Sequence, residues 1–473
     1  MPQDTSKTAP TPSATVSDVP DPGERTAADV SAALPGELSQ VYDVLFAGHD
    51  HVVLAVSGGA DSTALMHLAV AWRHLRISAA TPAPNLSVVT IDHGLRRESA
   101  AETVTVADAA AALGLPHVTL VWAGPKPTTG LQAAARAARR DLLSAYLSDN
   151  NWPAVAMAHT ADDQAETLLM RLARGSGVDG LGAMRPVTPL GAGQSILRPL
   201  LSVPKNTLTA YLAAHRIGWT EDPTNQSPDF ERVRVRSFLD ATAAHGIGLD
   251  RRALARSASR IARASHALSG LTIRAWAERG SHARFDPLGY AVLNWDWLVA
   301  QPEEIRLRLL AGLLNAIGGQ ADAVSLGQLE AATVGQNWHR HCLAGKTLHG
   351  AQLDCRATRS DHWTEIVITR EVGRQSQEAT TLAPGAAVLW DRRFRLSVDA
   401  RCPVALSLRP LGCADAEGRG NRPLAPRGAW EGQPALWMGG NGGTAVLAGV
   451  PLSGFARPEC AGMVHCETLL PEF

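Results

Sequence analysis

No cysteine occurs before Cys342. The six thiols, Cys342, Cys355, Cys402, Cys413, Cys460 and Cys466, all lie in the C-terminal third and form no Cys-x-x-Cys pair. Their spacing matches no zinc or disulfide framework, and chemistry that needs a reactive sulfur is excluded from the first two thirds. Lysine is almost missing too: it stands only at Lys7, Lys126, Lys205 and Lys346, and every other basic side chain is arginine. Arginine's planar fork suits phosphate recognition, but a GC-rich coding bias explains a general excess, so only local clustering is informative. No apolar run reaches about 18 residues, so no membrane span is expected. The first 35 residues lack the basic start and apolar middle of a secretory signal. They are rich in Pro, Thr, Ser, Ala and Asp, so a disordered tail over 1–40 of a cytoplasmic protein is expected. Aromatic residues are only 5% of the chain, and the formal net charge of −1 sets up no global field for a polyanion.

What is present is a soluble, globular balance, 45% hydrophobic and 19% charged, over 473 residues, enough for two to four domains. Short apolar runs at 51–56 (HVVLAV), 86–91 (LSVVTI), 117–122 (HVTLVW) and 154–158 (AVAMA) read as strands. Helical stripes over 62–75, 102–113, 131–149 and 161–174 alternate with them. Such alternation predicts an α/β fold, a parallel sheet with helices on both faces. Ligands then sit at the carboxyl ends of the strands, where the loops SGGADS, DHGLR and HTADDQAET lie. This domain is expected over 41–228. A helical middle domain over 229–372 and a small α+β domain over 376–473 follow.

SGGADS (57–62) stands between a buried strand and a helix start. Amides after Ser57 and the positive helix end make an anion site there, and Gly58 and Gly59 permit close approach of phosphate. No Lys-Ser/Thr follows the glycines, so this is not a Walker A loop. Asp61 beside phosphate calls for a divalent cation, and Mg²⁺ prefers such oxygens. The ordinary alternative is that Asp61 or Ser62 merely caps the helix.

SGGADS after a valine strand resembles the pyrophosphatase loop of the N-type ATP pyrophosphatases, which split ATP between its α- and β-phosphates. The further motifs IDHGLRRES, LQAAARAARR, AHTADDQAETLLMRLARGSGVDGLGAM, RPLL and WTEDPTN appear in the order of the tRNA(Ile)-lysidine synthetase family. That resemblance covers about 50–236. It implies an adenine nucleotide α-hydrolase-like fold and, as substrates, ATP with Mg²⁺, L-lysine and the isoleucine tRNA with anticodon CAU. It implies adenylation of the wobble cytidine at O2 and attack by lysine at C2, so that identity changes from Met to Ile. A homodimer is compatible with the sequence but not required by it.

Site roles follow from residues and resemblance together. Ser57, Gly58, Gly59, Ala60, Asp61 and Ser62 are expected to hold ATP, with Asp61 on the metal, and His93 and Arg96 near the nucleoside. A neutral lysine amine near pH 7 costs roughly 4–5 kcal/mol, so a carboxylate must bind the ammonium and take a proton. Asp162, Asp163 and Glu166, on the first turn after strand four, are the candidates, although acids there also compensate the helix dipole. His159 is expected at phosphate or base, its rival being a capping role. Arg136, by resemblance, faces the site, while Arg139 or Arg140 is either at the site or surface charge. Arg232, Arg234 and Arg236 (ERVRVR) are expected on the tRNA backbone, with Val233 where the family has asparagine. The middle and last regions are expected to grip the tRNA body. A thiolase of the same superfamily is the alternative, and it requires cysteines that this region lacks.

Overall fold

The structure, a computed structural model, describes residues 36–94, 99–127, 129–191, 193–220, 230–244, 249–333, 345–357, 363–371, 379–402, 405–410, 426, 429, 433–437, 445–447 and 464–471. The chain divides into two compact units, Met1–Ala264 and Ser265–Phe473. In the first, α1 (Gly36–Phe46) precedes β1 (His51–Ala55), α2 (Ala60–Ser78), β2 (Asn85–Asp92), α3 (Ser99–Ala112), β3 (His117–Val121), α4 (Leu131–Asp149), β4 (Ala154–Ala156) and α5 (Ala161–Ala173). A short α6 (Val178–Leu181), the hairpin β5 (Val187–Gly191) and β6 (Gln194–Leu197), then α7 (Lys205–Ala214), α8 (Glu231–Ala244) and α9 (Arg251–Ala277) follow.

The six strands lie in the order β3-β2-β1-β4-β6-β5, parallel except for β5. Alternation along β1 explains the layers: Val52 and Leu54 face one side with Tyr42, Phe46, Leu65 and Trp72, while Val53 faces the other with Leu143, Leu147 and Val155. Burying each such side chain stabilises the unit by about 1.5–3 kcal/mol. After β3 the chain returns to add β4 on the far side of β1, so the switch in strand order falls between β1 and β4. A crevice outside the carboxyl ends of these two strands is where such sheets bind ligands.

Three expectations are corrected. Residues 36–40 belong to α1 rather than to a tail, because Leu38, Tyr42 and Phe46 at a spacing of four bury one face of it; residues 1–35 lie outside the described set. The β5–β6 hairpin was not expected, since Pro189 and the turn's glycines disguise two short strands. Where a boundary was expected at 228, the division falls after Ala264, inside α9: α8 and the first half of α9 lie in the first unit, with Leu254, Ala258 and Ile261 meeting Leu168 and Ala183.

The second unit is not only helical over its first half. Strands β7 (Ala283–Asp286) and β8 (Tyr290–Asn294), helices α10 (Trp295–Ala300), α11 (Glu303–Gly318) and α12 (Leu326–Thr333), and strands β9 (Lys346–Leu348), β10 (Ala351–Ala357) and β11 (Trp363–Arg370) build an antiparallel sheet of order β7-β8-β11-β10-β9. Leu309, Leu310, Leu313 and Leu314 of α11 pack on Ile366 and Ile368 of its β11. Strands β12 (Thr380–Leu382), β13 (Ala387–Trp390), β14 (Phe394–Val398), β15 (Leu406–Pro410), β16 (Pro434–Trp437), β17 (Ala445–Leu447) and β18 (Val464–Thr468) form two further antiparallel sheets. Cys355, Cys402 and Cys466 are free thiols. No helix among the described residues is long and apolar enough to cross a membrane.

Candidate active site

Beyond β1 the chain turns at Gly58, whose φ of +86° is a conformation that a side chain strains. A Cβ there would also meet Val106 Cγ2 at 3.3 Å and Thr220 Oγ1 at 3.6 Å. Thr220, in the WTEDPTN motif, donates its amide to the Gly58 carbonyl at 2.8 Å and closes the loop from outside. Ser62 Oγ receives the Ser57 amide at 3.1 Å and donates to the Gly59 carbonyl at 3.0 Å, which fixes the turn. The N-cap of α2 is Gly59, which has no side-chain oxygen to offer. Neither Asp61 nor Ser62 is the cap, and no side-chain hydrogen bond caps the start of the helix.

Asp61 lies in that first turn, its Oδ2 at 3.4 Å from Lys205 Nζ, its Oδ1 buried without a hydrogen-bond donor among the described residues. Burial pushes its carboxyl above the usual range; Lys205 works against that shift, and Asp163 and Asp162 add to it. Lys205 begins α7 just after Pro204, and its amide donates to Asp162 Oδ2 at 2.8 Å. One residue thus joins the glycine loop to the acids of α5. Among the described residues no group of three or more His, Cys, Asp or Glu side chains gathers as a metal cluster.

α5 starts with a reciprocal cap. Thr160 Oγ1 receives the Asp163 amide at 3.4 Å, and Asp163 Oδ2 receives the Thr160 amide at 2.9 Å. The ordinary role of Asp163 is therefore real, but it occupies one oxygen only; Oδ1 stands 3.7 Å from Arg232 Nη1. Glu166, one turn on, is 1% exposed, with Arg236 Nε at 2.8 Å and Arg232 Nε at 3.3 Å. Burial raises its carboxyl pKa, and the Arg236 hydrogen bond opposes that rise. Arg232 and Arg236 were expected to face tRNA phosphates; their guanidinium groups meet the buried Glu166 carboxylate on α5. Arg234, between them, is exposed.

His159 is not a cap, since Thr160 is. Burial pushes its ring down to about 4, against the field of Asp163. Arg198 Nε donates to His159 Nδ1 at 3.2 Å, so the neutral ring carries its proton on Nε2 and presents a donor. His93 Nε2 lies 3.2 Å from Arg139 Nη2. Arg136 sits near enough to Arg232 for the two like charges to oppose each other, and desolvation is the larger burden on it. Arg140 is structural, donating to the carbonyls of Pro189 and Leu190 at 3.0 and 2.9 Å. Arg96 falls outside the described residues.

Sequence reasoning missed Lys205, Arg198 and Arg251, whose Nε lies 3.4 Å from Asp162 Oδ1. Lys205 had a signal, a lysine kept in an arginine-rich chain. Arg251 had none, because it reaches α5 only through the packing of α9.

A family model described as a PP-loop domain matches residues 33–242. The chain is 47% identical to a tRNA(Ile)-lysidine synthase of Bradyrhizobium diazoefficiens over 59% of this chain and 76% of that protein. It is 37% identical to the tRNA(Ile)-lysidine synthase of Ruegeria pomeroyi over 85% and 89% of the two chains. The family-model match spans the glycine loop, the start of α5 and α8 as far as residue 242, and on its likeness to these relatives the chain belongs to the tRNA(Ile)-lysidine synthase family.

Proposed function

We propose that this ATP-dependent ligase joins L-lysine to C2 of the wobble cytidine in the isoleucine tRNA with anticodon CAU, in the cytoplasm. The observation that carries the reading is the bridge at Lys205, 3.4 Å from Asp61 through Nζ and 2.8 Å from Asp162 through its amide. It brings a pocket suited to two phosphates together with carboxylates suited to an ammonium group.

In the first step the cytidine O2 attacks the α-phosphorus of ATP, the bond to the β-phosphate oxygen breaks, and pyrophosphate leaves. The amides from Gly58 to Ser62 receive it, and Lys205 offsets its charge. Asp61 Oδ1, a buried acceptor without a donor, is the kind of oxygen that a hard cation takes. Bound there, Mg²⁺ would neutralise charge between carboxylate and phosphates. In the second step the lysine ε-nitrogen, having given a proton to a carboxylate, forms its bond to C2, and AMP leaves with the O2 oxygen.

Asp163 Oδ1 is the first seat for the ammonium, with Arg232 moving aside; Asp162 completes the anionic patch. Glu166 is enclosed and acts by holding Arg232 and Arg236. Arg136 and Arg139 face phosphate or cytidine, His159 supplies an N–H donor, His93 lies toward the nucleoside, and the exposed Arg234 is assigned to the tRNA backbone. No step requires a second copy, and light scattering decides whether a dimer forms. A sulfur-transferring relative would need a thiol, and the first unit has no cysteine.

Mass spectrometry of the isoleucine tRNA after incubation with ATP, lysine and the chain tests the reading. Lysine attached at the wobble cytidine with AMP released supports it; an unchanged cytidine, or ADP as the only nucleotide product, sinks it.

A further inference from the structure

Helix α9 leaves the candidate site as a row of positive charge. Its 27 residues, RRALARSASRIARASHALSGLTIRAWA, include no aspartate or glutamate. Arg251 turns inward, to Asp162 at 3.4 Å and Asp240 at 2.7 Å. Arg252, Arg256, Arg260 and Arg263 are exposed, and among the described residues none of their guanidinium groups has an ion pair or hydrogen bond. At the helical pitch these four fall within a wedge of about 80° and along roughly 16 Å. Leu254, Ala258 and Ile261, on the opposite side, pack against Leu168, Leu181 and Ala183. Like charges spaced three and four apart weaken a helix, and nothing described in the chain offsets them here. A coding bias explains arginine as a residue type but not this row.

We propose that Arg252, Arg256, Arg260 and Arg263 form a docking ridge for the phosphate backbone of a base-paired stem of the tRNA substrate. The proposal rests on the lysidine synthase reading and adds a site to it. A line of guanidinium groups on a rigid helix meets successive phosphates without reading bases, and A-form stems are recognised largely in that way. Between 252 and 263 the outward face holds arginine and serine and no bulky apolar side chain, so it lacks what a helix needs to enter a lipid surface. Because Arg251 ties the same helix to Asp162, the ridge would hold the stem in register with the acids.

The test is tRNA binding by fluorescence anisotropy between about 50 and 200 mM salt, with the full chain and with a variant carrying Arg252→Gln, Arg256→Gln, Arg260→Gln and Arg263→Gln. The expected plot of log affinity against log salt becomes shallower by roughly three to four, with ATP affinity and the melting temperature unchanged. The four-lysine variant restores the slope, because it keeps the charges. Should the glutamine variant melt early, the pair Arg256→Gln and Arg260→Gln is expected to remove about half of the effect. A slope within one unit of wild type overturns the ridge. So does competition by phosphatidylglycerol vesicles where an RNA minihelix without an anticodon loop fails to compete. The slope is read without turnover, so a chain that binds tRNA through the ridge yet makes no lysidine refutes the functional reading alone.

Discussion

At Asp61 a carboxylate is held partly out of water with one oxygen unmatched, which costs stability in the free protein. Its folded pKa is raised, so the folded state binds its proton more readily than the unfolded chain does. This contribution to stability is therefore present at low pH and lost as pH rises through the folded pKa. Asp61→Asn is expected to melt at or above the wild-type temperature at neutral pH, with the difference shrinking in acid. The same variant should lose pyrophosphate exchange by on the order of a hundredfold or more; near-normal exchange removes the residue from phosphate chemistry. His159 has the opposite sign. Its ring is pushed down to about 4, so between that value and the unfolded one near 6.5 the unfolded chain binds the proton, and stability falls as pH drops through the window. An NMR titration of this ring should show no inflection between pH 6 and 8, and a midpoint near 6.5 would contradict its enclosure.

At the scale of elements, α5 is the piece on which the site depends. Thr160→Ala removes half of its cap and should cost about 1 kcal/mol in urea unfolding, with a weaker KM for lysine because Asp163 loses its orientation. Glu166→Gln leaves two guanidinium groups facing a neutral amide. Arg236 reaches water, at 38% side-chain exposure, so the expected loss is about 1–3 kcal/mol, below that for a wholly enclosed pair. A cycle with Arg236→Gln showing no coupling would dissolve the pair. The strands and helices near these residues were legible because their signals are local: a valine run before two glycines, a threonine three residues before Asp163. β5 and β6 were not, since four or five residues around a proline carry no periodic signal. The sheet built from β7 to β11 was hidden because its strands interleave with the strong helical pattern of α11.

For the whole molecule, the second unit holds its sheets together through a buried charge cluster. Asp391 receives Arg370 Nε at 3.0 Å and Arg393 Nε at 2.7 Å, with all three side chains almost fully enclosed. Asp391→Ala should destabilise this unit by about 3–5 kcal/mol, because two cations lose their counter-charge inside it, while ATP affinity in the first unit stays unchanged. A single unshifted unfolding transition would show that the cluster is dispensable. The amino-acid sequence alone determined the parallel α/β class, the glycine loop, the acidic helix start and the family, because each is written in residues close along the chain. Only the tertiary structure decided that Lys205 meets Asp61, that Arg232 and Arg236 turn inward to Glu166, and that α8 and the first half of α9 belong with the first unit. The three ion pairs join residues 66 to 144 positions apart, and no local pattern selects which of many arginines and lysines a buried carboxylate will meet.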